Sequence, residues 1–168
     1  MGDRIRSLLR ERAIDDPAMI GIHTGGAWVA ERLHRRLGIG LPLGTLDISF
    51  YRDDFTRIGM NPEVKPSRIP FEVEQRHIVL VDDVLHTGRT IRAAMNEIFD
   101  YGRPASIMLV ALAERSGREL PIQPDVAGVH MPLLPGQHIT LTGPDPLCLT
   151  IHRGSRKERG DASEAETA

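Results

Sequence analysis

The sequence predicts an α/β fold built on a mostly parallel sheet flanked by helices. Three observations carry this. Strand-like and helix-like periods alternate along the chain. Ile78-Val79-Leu80-Val81 is a run of four apolar residues, three of them β-branched, as expected of a strand covered on both faces. The 168 residues, 40% of them hydrophobic, suffice for one sizeable core and fall short of two ordinary domains.

The elements follow in order. Met19 to Ile22 reads as a short buried strand running into His23-Thr24-Gly25-Gly26. From Ala27 the period becomes helical, with Val29, Ala30, Leu33 and Leu37 on one face and Gly38 as the stop. Leu46, Ile48 and Phe50 alternate with Asp47, Ser49 and Tyr51, the period of a strand. Arg52 to Pro70 keeps neither period and is punctuated by Gly59, Pro62, Pro66 and Pro70, which predicts a lid or binding loop. The strand Ile78 to Val81 ends in Asp82-Asp83, and a helix begins near Thr90 with Ile91, Ala94, Met95 and Ile98 on its apolar stripe and Gly102 just past its end. Ser106 to Ala113 is the next buried strand. Shorter strands follow at Val126 to Val129, Ile139 to Leu141 and Leu147 to Ile151, and Arg153 to Ala168 reads as a disordered tail.

Composition excludes several classes. Lys plus Arg total 21 against 23 Asp plus Glu, a net charge of −2, so nucleic acid cannot be held by bulk positive charge and would need a local patch. The single cysteine, Cys148, rules out an intramolecular disulfide and reads as a buried structural thiol. A reducing, cytoplasmic location is expected. No apolar run approaches the length of a membrane span, and the N-terminus fits neither a signal peptide nor a myristoylation site, so no membrane partner is expected. The seven histidines show no short zinc-type spacing, and Trp28 is expected to serve packing.

Chemistry concentrates in Ile78 to Thr90, IVLVDDVLHTGRT. A buried strand delivers two carboxylates toward its C-terminal end, where ligands bind in open α/β sheets. A hydroxyl-and-glycine loop then opens a helix whose N–H groups form a natural phosphate seat. Carboxylates there would repel a bare polyphosphate, but they suit sugar hydroxyls or water-held Mg²⁺. A solvated strand end with a plain helix cap needs only one polar residue, so the array points to a phosphorylated ribose.

This segment resembles the phosphoribosyl pyrophosphate signature of type I phosphoribosyltransferases. LDISFYRDD (Leu46 to Asp54), DYGRPASI (Asp100 to Ile107) and GRELPI (Gly117 to Ile122) are similar to the subgroup of bifunctional pyrimidine operon regulators and uracil phosphoribosyltransferases. The resemblance implies a type I phosphoribosyltransferase fold, with a five-stranded, mostly parallel sheet, a flexible lid and a small C-terminal hood. It implies one such domain over residues 1–152.

It also implies site roles. Asp82 and Asp83 match the acidic pair on the ribose hydroxyls; Val84, Leu85, His86, Thr87, Gly88, Arg89 and Thr90 match the loop around the 5′-phosphate. Thr24, Gly25 and Gly26 match the pyrophosphate loop. Tyr51, Arg52, Asp53 and Asp54 open the lid, with Arg52 facing the leaving group, and Arg115 and Ile139 match nucleotide contacts from the hood. Where the subgroup has Lys-Thr-Arg-Gly, this chain has His23-Thr24-Gly25-Gly26, and Gln123 replaces a basic residue. On the missing charge alone, Gly25→Arg is expected to improve phosphoribosyl pyrophosphate use if the backbone tolerates a side chain.

The activity implied is pentosyl transfer in nucleotide salvage: uracil and phosphoribosyl pyrophosphate, with Mg²⁺ as cofactor, give UMP and pyrophosphate. The resemblance further implies regulation of pyrimidine synthesis through UMP or UTP, a homo-oligomer, and pyrimidine-operon messenger RNA as partner. Arg115 and Arg118, with Arg4, Arg6, Arg10 and Arg12, are the candidate RNA phosphate contacts. A regulator with little or no transferase activity, and a transferase for another base, are the alternatives.

Overall fold

The structure, a computed structural model, describes residues 1–48, 66–134 and 136–153. The lid opening Tyr51 to Asp54, including Arg52, and the expected tail beyond Arg153 lie outside these residues.

The chain opens with helix α1 (Gly2–Glu11), which carries Ile5, Leu8 and Leu9 on its buried face. Strand β1 (Ala18–Ile22) leads to α2 (Gly25–Leu37), which stops at Gly38 in the left-handed conformation. Strand β2 (Gly44–Leu46) comes next, then β3 (His77–Leu85), α3 (Arg89–Tyr101), β4 (Ser106–Arg115) and β5 (Val126–Met131). A hairpin of β6 (Gln137–Thr142) and β7 (Cys148–Arg153) ends the described chain.

The five central strands form a sheet of order β2-β1-β3-β4-β5, with every pair parallel. Alternate residues therefore face opposite layers. Val79 and Val81 join Ile5, Leu9, Val29 and Leu33 under α1 and α2. Ile78 and Leu80 join Ile91, Ala94 and Ile98 under α3. This order has its switch point between β1 and β3, since the chain leaves β1 toward one side of the sheet and β3 toward the other. Open α/β sheets leave a crevice there, at the carboxyl ends of the strands.

Four expectations are corrected. β3 does not end at Val81 but pairs on through Val84↔Ala113 and Leu85↔Glu114, because β4 is long enough to keep satisfying its backbone. β2 lies earlier than the Leu46–Phe50 alternation, because its register is set by β1 through Ile20↔Gly44 and Ile22↔Leu46. The end of the predicted irregular loop is fixed: Thr45 and Arg68 exchange two backbone hydrogen bonds of 2.8 Å, and Ser67 Oγ accepts from the Asp47 N–H. Cys148 is exposed. It pairs with Thr142, one step from the Leu141–Leu149 pair that faces the core, so strand alternation turns it outward.

Trp28 packs against the α1/α2 core, as expected, and it also seats the hairpin. A Cβ built on Gly143 would lie 2.8 Å from Trp28 Cε3. Beside it, Arg32 Nη2 donates to the Pro144 carbonyl at 2.7 Å. The C-terminal hood thus rests on the first turns of α2, with β6 against β3.

Candidate functional site

Two strand-to-helix turns meet at the switch point. β1 ends in His23-Thr24, joined by a cis peptide, and Thr24 is the N-cap residue of α2. Beside it β3 carries Asp82 and Asp83. Both lie against the start of α2, Asp82 with its Oδ1 3.2 Å from a Cβ built on Gly26, but they differ in exposure.

Asp83 is half-buried and faces the start of α2. A Cβ on Gly25 would lie 2.2 Å from Asp83 Oδ2 and 2.9 Å from its Cβ, so glycine is what lets the turn close onto this carboxylate. Asp82 is only 2% exposed, and its Oδ1 accepts the Asp83 N–H at 2.9 Å. Of the two carboxylates expected at the ribose hydroxyls, Asp83 is the more open and Asp82 is closed in. Asp82 lies inside the protein, where an ionised carboxylate must be hydrogen-bonded. The expected benefit of Gly25→Arg is corrected as well. No positive φ bars a side chain at Gly25, but an arginine would meet Asp83 before it reached any ligand.

After Leu85 the chain turns through His86, Thr87 and Gly88 into α3, whose N-cap is Gly88 at φ 95°. That left-handed conformation suits glycine. Thr87 is buried, and its Oγ1 accepts the Arg89 N–H at 3.3 Å, while Thr90 is half-buried in the first turn of the helix. Val84 is half-buried and Leu85 belongs to the α3-side core. Arg89 is exposed, with Nε and Nη2 on Glu119 Oε2 at 2.9 and 2.6 Å.

Arg115 closes β4 rather than sitting in the hood, one residue past the Leu85↔Glu114 pair. Its Nε is buried without a hydrogen-bond partner. Ile139 is half-buried in the hairpin, opposite Ile151. Arg118, expected as an RNA contact, is paired within the protein: one Nη donates to the His86 carbonyl and the other to Glu114 Oε1 at 2.7 Å. Arg4, Arg6 and Arg12 pair with Glu11, Asp3 and Asp125. The roles of Arg118 and Glu119 escaped the sequence because their partners lie about thirty residues away, with no local pattern to mark them.

Among the described residues no group of three or more His, Cys, Asp and Glu side chains could hold a metal ion. With Asp82 buried, the donors present fit a divalent cation carried mainly by substrate oxygens and water, and Asp83 is the carboxylate that would help to hold it. Among the described residues no helix is long and apolar enough to cross a membrane.

The Phosphoribosyl transferase domain family matches residues 2–135. "Bifunctional protein PyrR" of Nitrosococcus oceani is 64% identical over 145 residues, covering 85% of this chain and 82% of its own length. The protein of the same name from Pseudomonas aeruginosa is 58% identical over 149 residues, covering 89% and 88%. Among solved structures, a purine phosphoribosyltransferase from Pyrococcus horikoshii aligns with a TM-score of 0.57 at 26% identity, over 77% of this chain and 80% of that one. The hypoxanthine phosphoribosyltransferase of Trypanosoma cruzi aligns at 0.60 and 21% identity, over 78% and 73%, a likeness of fold. With its parallel sheet, its acid pair and its loop at the start of α3, the chain belongs to the phosphoribosyl transferase domain family, in the branch of the PyrR proteins.

Proposed function

We propose that this site holds a uridine nucleotide by its 5′-phosphate and ribose, and that the chain is foremost a nucleotide-sensing regulator of pyrimidine synthesis. Transfer of phosphoribosyl from phosphoribosyl pyrophosphate to uracil is then a slow second activity. The observation that carries this reading is the inequality of the two ends of the site. At the α3 end a closed loop presents helix N-terminal N–H groups, which favour a phosphate. At the α2 end the turn has no fixed cation, and Asp83 fills the space beside Gly25. Two unit charges about 4 Å apart repel by about 4 kcal/mol at an effective dielectric near 20. That repulsion acts on bound substrate and transition state alike and so weighs on affinity; what slows departure is the lack of a fixed cation in the turn to meet the charge that develops.

In the transfer, N1 of uracil forms its bond to C1′ as the bond to pyrophosphate breaks, and the N1 proton passes to solvent or to a base. Asp83 accepts hydrogen bonds from the ribose hydroxyls and Asp82 fixes the peptide that carries it. Thr24 and the first N–H groups of α2 face the leaving group. Mg²⁺ arriving with the substrate supplies the charge neutralisation that the turn lacks.

The test compares UMP binding with turnover of labelled uracil, hypoxanthine and orotate, each with phosphoribosyl pyrophosphate and Mg²⁺. Expected are clear UMP binding and uracil turnover below about 1 s⁻¹, the low end for enzymes. Turnover of uracil at about 10 s⁻¹ or more would favour the second reading, an enzyme first, which the intact acid pair supports. Preference for another base would overturn both. For the regulatory arm, affinity for pyrimidine-operon messenger RNA should rise with UMP or UTP and fall with salt. RNA affinity indifferent to uridine nucleotides rejects that arm.

A further inference from the structure

We infer that residues 114–122 form a strap that sets the backbone of the phosphate loop, with Arg118 as its principal positioning residue. Every residue from His86 to Arg89 is tied to this strap. The His86 carbonyl accepts from the Arg118 guanidinium. The Thr87 carbonyl accepts from two N–H groups, those of Glu119 and Leu120, each at 3.0 Å. A Cβ on Gly88 would lie 3.3 Å from Leu120 Cβ and 3.5 Å from Ile122 Cβ, so the strap also packs against the turn. Arg89 is held by Glu119.

The direction of these bonds gives them their consequence. The peptides after His86 and Thr87 are trans, and in a trans peptide the C=O of one residue and the N–H of the next point in opposite directions. With both carbonyls drawn toward the strap, the N–H groups of Thr87 and Gly88 point away from it, to the side where the turn opens at the start of α3. A phosphate seat needs its donors aimed together before the anion arrives. Arg118 is itself fixed, because Glu114 holds its second Nη at 2.7 Å and reaches His130 Nδ1 at 3.1 Å with its other oxygen. The Arg118 and Glu114 side chains are 21% and 18% exposed, so solvent competes weakly for the pair. The resulting chain runs from β5 through Glu114 and Arg118 to the loop.

The strap deepens the nucleotide-site reading and rests on it for the identity of the anion. Its test uses the full chain and two probes, UMP and uridine, which differ only in the phosphate. Arg118→Met should lower UMP affinity about tenfold or more while leaving uridine affinity within about twofold, and Arg118→Lys, which keeps the charge on a single donor nitrogen, should recover part of the loss. Hydrogen exchange of the ligand-free protein should show faster exchange over 86–89 in Arg118→Met, with the sheet amides unchanged. Equal losses for both probes, or unchanged UMP affinity and unchanged exchange at 86–89, would overturn the strap. A wild-type protein that fails to prefer UMP over uridine would count against the nucleotide site, whereas the exchange measurement would still decide the strap.

Discussion

At the residue scale, the acid pair divides into two different groups. Asp82 Oδ1 satisfies a backbone N–H within a nearly closed environment, and losing such a bond costs about 1–3 kcal/mol. Asp82→Ala is therefore expected to lower unfolding free energy by roughly that amount in a denaturant titration. Asp83→Asn should leave the midpoint unchanged and reduce uracil turnover about a hundredfold, because its carboxylate faces the site and is among the groups placed to act in the transition state. A stability loss in Asp83→Asn as large as in Asp82→Ala would erase this distinction. Gly25→Ala makes the same argument from the other side of the turn. The added methyl displaces the Asp83 carboxylate, so both turnover and uridine affinity should fall by about tenfold or more, with the loss read by calorimetry. None of this division is visible in the dipeptide Asp82-Asp83, since it depends on how far the surrounding chain covers each side chain.

At the element scale, legibility follows how local the determining forces are. The apolar stripe of α3, its end at Gly102 and the stop of α2 at Gly38 were readable because caps and helical spacing act within a few residues. The stripe Ile5, Leu8 and Leu9 marks α1 equally well and was the signal passed over for that helix. β2 and the far end of β3 were misplaced because their limits are set by partners distant in sequence: Ile20 for Gly44, and Ala113 for Val84. The hairpin shows the same dependence. Its strands were placed to within two residues at each end, yet its seat on Trp28 and Arg32 was not foreseeable from spacing. Trp28→Ala should cost about 2 kcal/mol, less than the ~3–5 kcal/mol of a fully buried aromatic. Hydrogen exchange should quicken across 137–153 before it does in the parallel sheet. Uniform quickening would mean that Trp28 supports the α1/α2 core alone.

For the whole molecule, the site draws on both covering layers at once. Helix α2 with the turn beside Asp83 covers one face of the sheet, α3 the other, and the strap joins β4 to the loop that opens α3. A ligand at the switch point therefore binds only the assembled fold and stabilises it as a unit, by about 2.7 kcal/mol when present at a hundred times its dissociation constant. For a chain of this length 1 kcal/mol shifts the melting temperature by about 2–4 °C, so UMP under those conditions should raise it by roughly 5–11 °C. Inorganic pyrophosphate tests the other end of the site. Without a divalent cation it must approach a turn that has no fixed positive charge and a carboxylate at its edge, in a protein whose net charge is already −2. Its thermal shift at the same concentration should therefore be under about 1 °C, and Mg²⁺ should increase it. A pyrophosphate shift as large as that of UMP, without Mg²⁺ and at pH 8, would show that the two ends of the site are alike and would remove the reason for placing sensing ahead of transfer.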